Sequence, residues 1–267
     1  MFNAKKMTKL CVLWIQNWFE QNGKGCNAVI GISGGKDSFI TAALCVEALG
    51  KERVIGVLMP NGIQGDIQES MEICKYLEIE HTMINIEKAY TDIIDRMKQR
   101  IKWKDSTSNN IYLDLTRDIS PTEQTKINLA PRLRMTVLYA ISQSLHGRVA
   151  NTCNLSETYV GYETRYGDAA GDFAPIAEFT VGEVIQIGNF LELPSKLVNK
   201  TPSDGLCGLS DEDNLGFTYE VLDKYIRTGI CEDIKIKRKI DDLHKSNLFK
   251  SQLMQSFPAG NFGGANE

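Results

Sequence analysis

Asn27-Ala28-Val29-Ile30-Gly31-Ile32-Ser33-Gly34-Gly35-Lys36-Asp37-Ser38 decides how this chain is built. Asn27 to Ile32 is a short, nearly continuous apolar run, the pattern of a strand buried on both faces of a parallel sheet. Ser33-Gly34-Gly35 breaks it, and Asp37 to Leu49 then carries helical periodicity closed by Gly50. The alternation repeats downstream. Arg53 to Met59 reads as a second buried strand ended by Pro60-Asn61-Gly62, Asp66 to Leu77 as a helix, His81 to Ile86 as a third strand, and Glu87 to about Lys102 as a helix. Alternating strands and helices predict an α/β fold: a doubly wound, mostly parallel twisted sheet with helices on both faces, Rossmann-like in its layers. Ligands of such sheets bind beyond the carboxyl ends of the strands, where the loop 33–36 lies.

The flanks follow from the same patterns. Met7, Leu10, Cys11, Trp14 and Trp18 keep helical spacing, with Phe19 beside them, and predict an amphipathic helix packed on the body. The run Leu10 to Ile15 behind Lys5, Lys6 and Lys9 mimics a signal peptide, but it stops short of the usual ~7–15 apolar residues and no small-residue cleavage site follows. Ser120-Pro121-Thr122-Glu123 predicts a helix start, with Ser120 as cap, Pro121 in the first turn and Glu123 completing a capping box. That helix is expected to reach about Leu145, bent at Pro131, with Arg148 to Thr152 as a fourth strand. Thr180 to Glu192 and the stretch from Tyr219 onward read as helical. Lys104 to Asn110, Gly161 to Gly171 and Asn199 to Asn214 read as loops, and residues 258–267 as a frayed tail. No internal repeat or linker stands out, so residues 1–267 are expected to form one domain.

Composition narrows the function. The chain has 267 residues, 42% hydrophobic and 24% charged, with 30 Lys plus Arg against 34 Asp plus Glu and a net charge of −4. That is an ordinary globular balance. It lacks the basic surplus of a protein living on nucleic acid. No segment approaches the ~18 apolar residues of a membrane span. The seven cysteines (positions 11, 26, 45, 74, 153, 207 and 231) form no C-x-x-C, so reduced thiols and a cytoplasmic location are expected. Three scattered histidines offer no metal cluster.

The loop itself is tested against known phosphate cradles. A Walker loop needs four residues between its glycines and then Gly-Lys-Ser/Thr; here three residues separate Gly31 from Gly35, and Asp37 follows the lysine. Gly23-Lys24-Gly25-Cys26-Asn27-Ala28 fits the dinucleotide pattern only before the strand, not after it. Ser-Gly-Gly-x-Asp-Ser resembles the pyrophosphate loop of the ATP-pyrophosphatase superfamily. Its physics is sound. Gly31, Ile32, Ser33, Gly34, Gly35, Lys36, Asp37 and Ser38 would surround the triphosphate of ATP, with side-chain-free glycines letting backbone N–H groups close round it. The following helix aims its positive end at the same point. Ser33 and Ser38 offer hydroxyls and Lys36 a charge. Asp37 would be repelled by bare phosphate, which calls for Mg²⁺ between them.

A second block chooses among the superfamily's reactions. Thr152-Cys153-Asn154-Leu155-Ser156-Glu157, Gly161-Tyr162-Glu163-Thr164, Arg165-Tyr166-Gly167-Asp168, and Gly171-Asp172 with Pro175 resemble, in order, the signature of the NAD synthetase family. Asn128 to Met135, Thr201-Pro202-Ser203, Asp211-Glu212 and Leu215-Gly216 agree with it. The resemblance spans about residues 8 to 250. It implies ATP-dependent amidation of deamido-NAD through an NAD-adenylate, giving NAD, AMP and pyrophosphate. It implies Mg²⁺ on Asp37 and Glu157, and ATP contacts from Thr152 and from Ser203, where relatives carry Thr. It places Ser33, Lys36, Asp37 and Ser38 at the reaction centre and deamido-NAD on Arg132, Arg165, Asp172 and Lys250. Arg134, two positions from Arg132, cannot share its helix face and is expected to be structural.

The resemblance also implies a homodimer. Because the synthetase region begins almost at once, with no room for a glutaminase domain, free ammonia is the expected nitrogen donor. Departures stand at Val181, where relatives often have lysine, at Leu58-Met59-Pro60, at Phe249 before Lys250, and at Lys36, often Gln. Two rivals remain at this level. A tRNA-modifying enzyme of the superfamily, a thiolase or lysidine synthetase, should show catalytic cysteines or a basic surface. A non-catalytic adenine-nucleotide-binding module should bind ATP without releasing pyrophosphate.

Overall fold

The computed structural model describes residues 2–65, 67–98, 103–104, 111–112, 120–199 and 210–257. Its elements are α1 (Ala4–Asn22), β1 (Asn27–Gly31), α2 (Lys36–Leu49), β2 (Val54–Leu58), α3 (Ile67–Tyr76), β3 (Glu80–Met83), α4 (Glu87–Lys98), β4 (Trp103–Lys104) and β5 (Ile111–Tyr112). They continue with α5 (Glu123–Ser144), β6 (Gly147–Val149), α6 (Leu155–Val160), α7 (Val181–Phe190), α8 (Ser195–Val198), α9 (Asp211–Leu215), α10 (Tyr219–Thr228) and α11 (Ile234–Asn247).

Four strands form the main sheet in the order β3-β2-β1-β6, every pair parallel. Alternation along the strands sorts side chains to two faces. Ala28, Ile30, Val54 and Leu58 pack with Phe39, Leu44, Ile73 and Ile187 from α2, α3 and α7. Val29, Ile55, Val57 and Val149 pack with Ala130, Met135 and Leu138 from α5. Helices therefore cover both faces, as the sequence predicts. A third cluster, Val160, Val181, Leu215, Phe217, Leu222 and Ile240, ties α6, α7, α10 and α11 together beyond the sheet. Among the described residues no helix is long and apolar enough to cross a membrane.

From β1 the chain steps outward through β2 to β3, then returns to lay β6 on the other side of β1. The reversal makes the carboxyl ends of β1 and β6 a topological switch point, where connections leave in opposite directions and open a crevice. The loop at Ser33 leaves β1 there, and Thr152 to Glu157 leaves β6 there.

Several sequence expectations need correction. The buried stripe of α1 is Thr8, Cys11, Ile15 and Phe19, whereas Leu10 and Trp14 are exposed at 47% and 44%. The helix is rotated so that Trp18 stacks on Phe173 at 4.9 Å and Phe19 meets the same ring edge-on, a pairing no local pattern encodes. β6 is shorter than Arg148 to Thr152 because the ladder beyond Val149 gives way to a single bridge, Ala150 to Phe173. The third strand ends at Met83, and residues 99–102 at the expected end of α4 lie outside the described residues. So do 105–110 and 258–267. The short antiparallel pair β4–β5 had no sequence signal. Within the expected loop 199–214, Ser210 starts α9 with a capping box to Asp213, a Ser-x-x-Asp signature that sequence reasoning passed over.

The start of α5 also moves. Thr122, not Ser120, is the cap; its Oγ1 accepts from the Thr125 N–H at 3.1 Å, and Lys126 N–H to Thr122 O opens the helical ladder. Pro121 therefore precedes the helix. The helix continues through Pro131, which supplies no N–H to the turn before it. Thr122→Ala is expected to lower stability by about 1 kcal/mol. Ser120→Ala leaves this cap in place and should cost less than Thr122→Ala. Paired denaturant curves check this, and equal losses would return the cap to Ser120.

Candidate functional site

The loop after β1 is set by its own hydrogen bonds. Gly34 has φ +84°, a left-handed conformation that disfavours a side chain. Ser33 Oγ accepts from the Gly35 N–H at 3.2 Å and lies 3.2 Å from Ser38 Oγ, which donates to Gly35 O at 3.0 Å. The two serines thus brace the turn, with Ser33 exposed and Ser38 buried. Gly35 caps α2 without a side chain, so the first amides of α2 meet no capping oxygen from it. Gly31 closes β1 against Met59 and Leu138, and Ile32 is buried with its N–H on Val57 O.

Across the crevice, Asn154 caps α6. Its Oδ1 accepts from the Glu157 N–H at 3.1 Å, while its own N–H donates to Glu157 Oε2 at 3.1 Å. This capping box fixes the Glu157 carboxylate. Asn154 Nδ2 then donates to Asp37 Oδ1 at 3.2 Å across 117 positions of sequence, tying the two acidic residues together. Burial pushes the Glu157 carboxyl well above the usual carboxylate range and the Asp37 charge adds to this, while Lys36 opposes it. Lys36 is buried at 3% exposure, and its Nζ donates to Asp37 Oδ2 at 2.8 Å. Asp211 is also buried, accepts from Tyr219 Oη at 3.3 Å, and contributes its charge to Lys36 and Glu157.

Asn154 and Asp211 stand in the sequence only as members of the family motifs, and their part in the site was not read from it. Asn-x-x-Glu ahead of a short helix was itself a capping-box signal for the first. The second sits in the unforeseen α9.

The donor chemistry suits a hard divalent cation. Asp37 and Glu157 present carboxylate oxygens from two different elements, and the charge cost of holding them together is visible in Glu157. Among the described residues no group of three His, Cys, Asp or Glu side chains closes into a cage. One or two carboxylates plus phosphate oxygens and water is how Mg²⁺ is usually held.

Arg132, Arg165 and Lys250 gather round the loop 161–167. Arg132 Nε donates to Arg165 O at 3.3 Å, and Lys250 Nζ donates to Gly161 O at 2.6 Å and Glu163 O at 3.1 Å. The Arg165 guanidinium lies over Tyr166 and Phe249, 5.0 and 5.4 Å from their ring centroids. Arg134 instead donates to Met59 O at 3.0 Å, in keeping with a structural role. Asp172 stands apart: its carboxylate accepts from the Val149 N–H at 2.7 Å and Tyr139 Oη at 3.3 Å. Thr152 is half-buried just past β6. Ser203 lies outside the described residues. Val181 is buried in the third cluster with its N–H on Ser156 Oγ, so no cation reaches out from there.

Cys153, next to Thr152, is buried and donates to Asp168 O at 3.3 Å. Burial and the Asp168 charge push its thiol far up, which disfavours the thiolate. Six cysteines of the described residues are free thiols, and Cys207 lies outside them.

Comparison with known proteins converges on one family. The model for NAD synthase matches residues 7–257. An NH3-dependent NAD(+) synthetase of Thermococcus sibiricus is 35% identical over 96% of both chains, and one of Methanococcus aeolicus is 37% identical over 84% of this chain and 82% of that one. Among solved structures, NMN synthetase from Francisella tularensis superposes with a TM-score of 0.82 at 29% identity, covering 97% of this chain and all of that one. The NH3-dependent NAD synthetase from Campylobacter jejuni gives 0.73 at 26%, covering 96% and 100%. A family model that matches nearly the whole chain, with relatives 35% and 37% identical over most of both chains, means that the chain belongs to the NAD synthase family, ligases that make NAD at the expense of ATP.

Proposed function

We propose that this chain amidates deamido-NAD with free ammonia in two steps, through the crevice between the ends of β1 and β6. The observation that carries the reading is the Ser33–Ser38 loop whose own Asp37 is tied through Asn154 to Glu157 of α6. In the first step an oxygen of the nicotinate carboxylate bonds to the α-phosphorus of ATP, and the bond from that phosphorus to the bridging β-oxygen breaks, releasing pyrophosphate. In the second, ammonia bonds to the carboxyl carbon of the adenylate, AMP leaves, and the nitrogen loses a proton to give the amide.

The loop amides and the α2 N-terminus hold the leaving phosphates and stabilise charge as it builds. Asp37 and Glu157 would hold Mg²⁺, which when bound supplies positive charge to the polyphosphate. Thr152 and Ser203 would complete the nucleotide site. Arg132, Arg165 and Lys250 would take the anionic groups of the dinucleotide, and Asp172 would orient its sugar or nicotinate end. No side-chain nucleophile is required; positioning and exclusion of water from the adenylate are the enzyme's part. Ammonia as donor is supported by the NH3-dependent relative from Thermococcus sibiricus, which matches over 96% of its length. We extend the same reading to one synthetase domain over residues 1–267, a homodimer, and a reducing cytoplasmic setting.

The test is purified protein with ATP, deamido-NAD, Mg²⁺ and ammonium, following NAD and pyrophosphate together. Both should form, and both should vanish without deamido-NAD. Pyrophosphate release that ignores deamido-NAD, or turnover on glutamine alone, would overturn the proposal.

A second reading rests on the Francisella tularensis NMN synthetase, whose structure superposes with a TM-score of 0.82. Nicotinate mononucleotide has the same reacting carboxylate and lacks only the adenylate half. Competing the two acids at equal concentration separates the readings by the ratio of their kcat/KM values.

A further inference from the structure

One feature of the site is not accounted for by the mechanism: a lysine ammonium already occupies the acidic side of the crevice. Lys36 opens α2 and is buried. Its Nζ does not face outward from the loop but donates to Asp37 Oδ2 at 2.8 Å. Asp37 Oδ1 accepts from Asn154 Nδ2. Both oxygens of the proposed metal ligand therefore have donors before any metal arrives. Burial works against the Lys36 charge, but Asp37, Glu157 and Asp211 outweigh it and hold the ammonium above the usual lysine range. Asp211 is buried and Asp37 and Glu157 are half-buried beside it, a grouping that is costly without a compensating cation, and here the chain supplies that cation itself.

We propose that Lys36 is a resident counter-ion that stands in for the metal while the nucleotide is absent, and that nucleotide binding exchanges the two. This rests on the reading of Asp37 and Glu157 as the metal pair. In the free chain a divalent cation would have to enter beside a fixed positive charge, so metal alone binds weakly. When the triphosphate reaches the loop, its oxygens offer Lys36 a new partner within the same crevice. The ammonium leaves Asp37, and the carboxylate is released to the incoming cation. Metal and nucleotide are then strongly coupled, and by linkage each raises the other's affinity by the same factor.

The experiment is Mn²⁺ binding to the full chain, followed by the electron paramagnetic resonance of the free ion, with and without α,β-methylene-ATP and corrected for chelation by the analogue. It is run on the parent, Lys36→Met and Lys36→Gln, with a thermal melt of each. The parent should bind Mn²⁺ weakly alone and much more tightly with the analogue. Both variants should bind Mn²⁺ alone about ten- to a hundred-fold more tightly than the parent, the scale set by removing one adjacent like charge. Their nucleotide-induced gain should shrink correspondingly. Variants that bind metal alone no better than the parent, while the analogue still recruits it, would overturn the exchange and leave the metal pair standing. Absence of Mn²⁺ uptake by the parent with the analogue would overturn the metal pair and the exchange with it. Should both variants unfold, the parent decides: metal uptake as tight without the analogue as with it would overturn the exchange.

Discussion

Asp37→Asn should leave a folded protein whose kcat/KM for NAD formation is lower by about a hundred- to a thousand-fold, the range seen when one preorganised stabiliser of transition-state charge is removed. The substitution keeps size and shape and removes a charge at the first turn of α2. Stability should fall as well, because the buried Lys36 ammonium loses its direct partner; two further effects of the change largely cancel. Asp37 serves the helix dipole favourably, but it also raises the cost of ionising Glu157 beside it, and the two effects oppose each other. Activity has no such compensation. An amide at this position presents one carbonyl oxygen and no charge to a cation, and the buried Lys36 loses its direct partner. Glu157 remains, so raised metal concentration should recover part of the rate. A deficit unaltered by metal would place the role of Asp37 elsewhere, and a rate within a few-fold of the parent would remove it from the site. Asn154→Ala is the milder companion. It removes both the cap of α6 and the tether to Asp37, and should cost about 1 kcal/mol of stability together with a rise in the metal concentration needed for half-maximal rate.

How much of this was legible in the sequence depends on how local each feature is. The Ser33–Ser38 loop could be read because its demands are met within a few residues: glycines that let backbone approach, hydroxyls that brace the turn, a helix that begins at once. The parallel sheet could be read because β1 and β2 are buried on both faces and written as unbroken apolar runs. The rotation of α1 could not, since Leu10 and Trp14 are as apolar as the residues that are buried; only the partner surface around Phe173 chooses Trp18 and Phe19 over them. Lys36 illustrates the same limit within the site. Sequence placed a positive charge beside the phosphates, but the direction of its ammonium is set by Asp37, Glu157 and Asp211, which come from three elements far apart in the chain. Asp211 itself was hidden in a stretch rich in Pro and Gly that reads as loop. Arg132, Arg165 and Lys250 were named by family motif alone, and their meeting round residues 161–167 is a property of α5 and the C-terminal helix packing on one turn.

That turn hinges on Gly161, and Gly161→Ala should destabilise the fold by about 2–5 kcal/mol, adding the ~1–2 kcal/mol of a left-handed residue with a side chain to the ~1–3 kcal/mol of overpacking. Gly161 ends α6 with φ +69°. A Cβ there would lie 2.1 Å from Asn247 Cβ and 2.4 Å from its Cγ, too near the backbone of α11 for a rotamer change to relieve. The melting temperature should fall by roughly 5–15 °C for a chain of this size. The consequence extends to the site, because the same residue joins its parts. Its N–H closes α6 on the Glu157 and Thr158 carbonyls, and its carbonyl receives Lys250. Moving α11 away to admit a methyl group pulls Lys250 off the loop and loosens the last turn behind Glu157. Below the new melting temperature the variant should therefore show a higher KM for the dinucleotide than for ATP, since the phosphate loop lies on β1 and is not touched. Asn247→Gly in the same chain separates strain from collision. It removes the atoms that clash, at the loss of the Asn247 bonds to Val160 O and Leu243 O, so the double variant should be more stable than the sum of the two single changes predicts. Strict additivity would mean that α11 is not seated against Gly161, and the packing that brings Lys250 to the loop would then need another explanation.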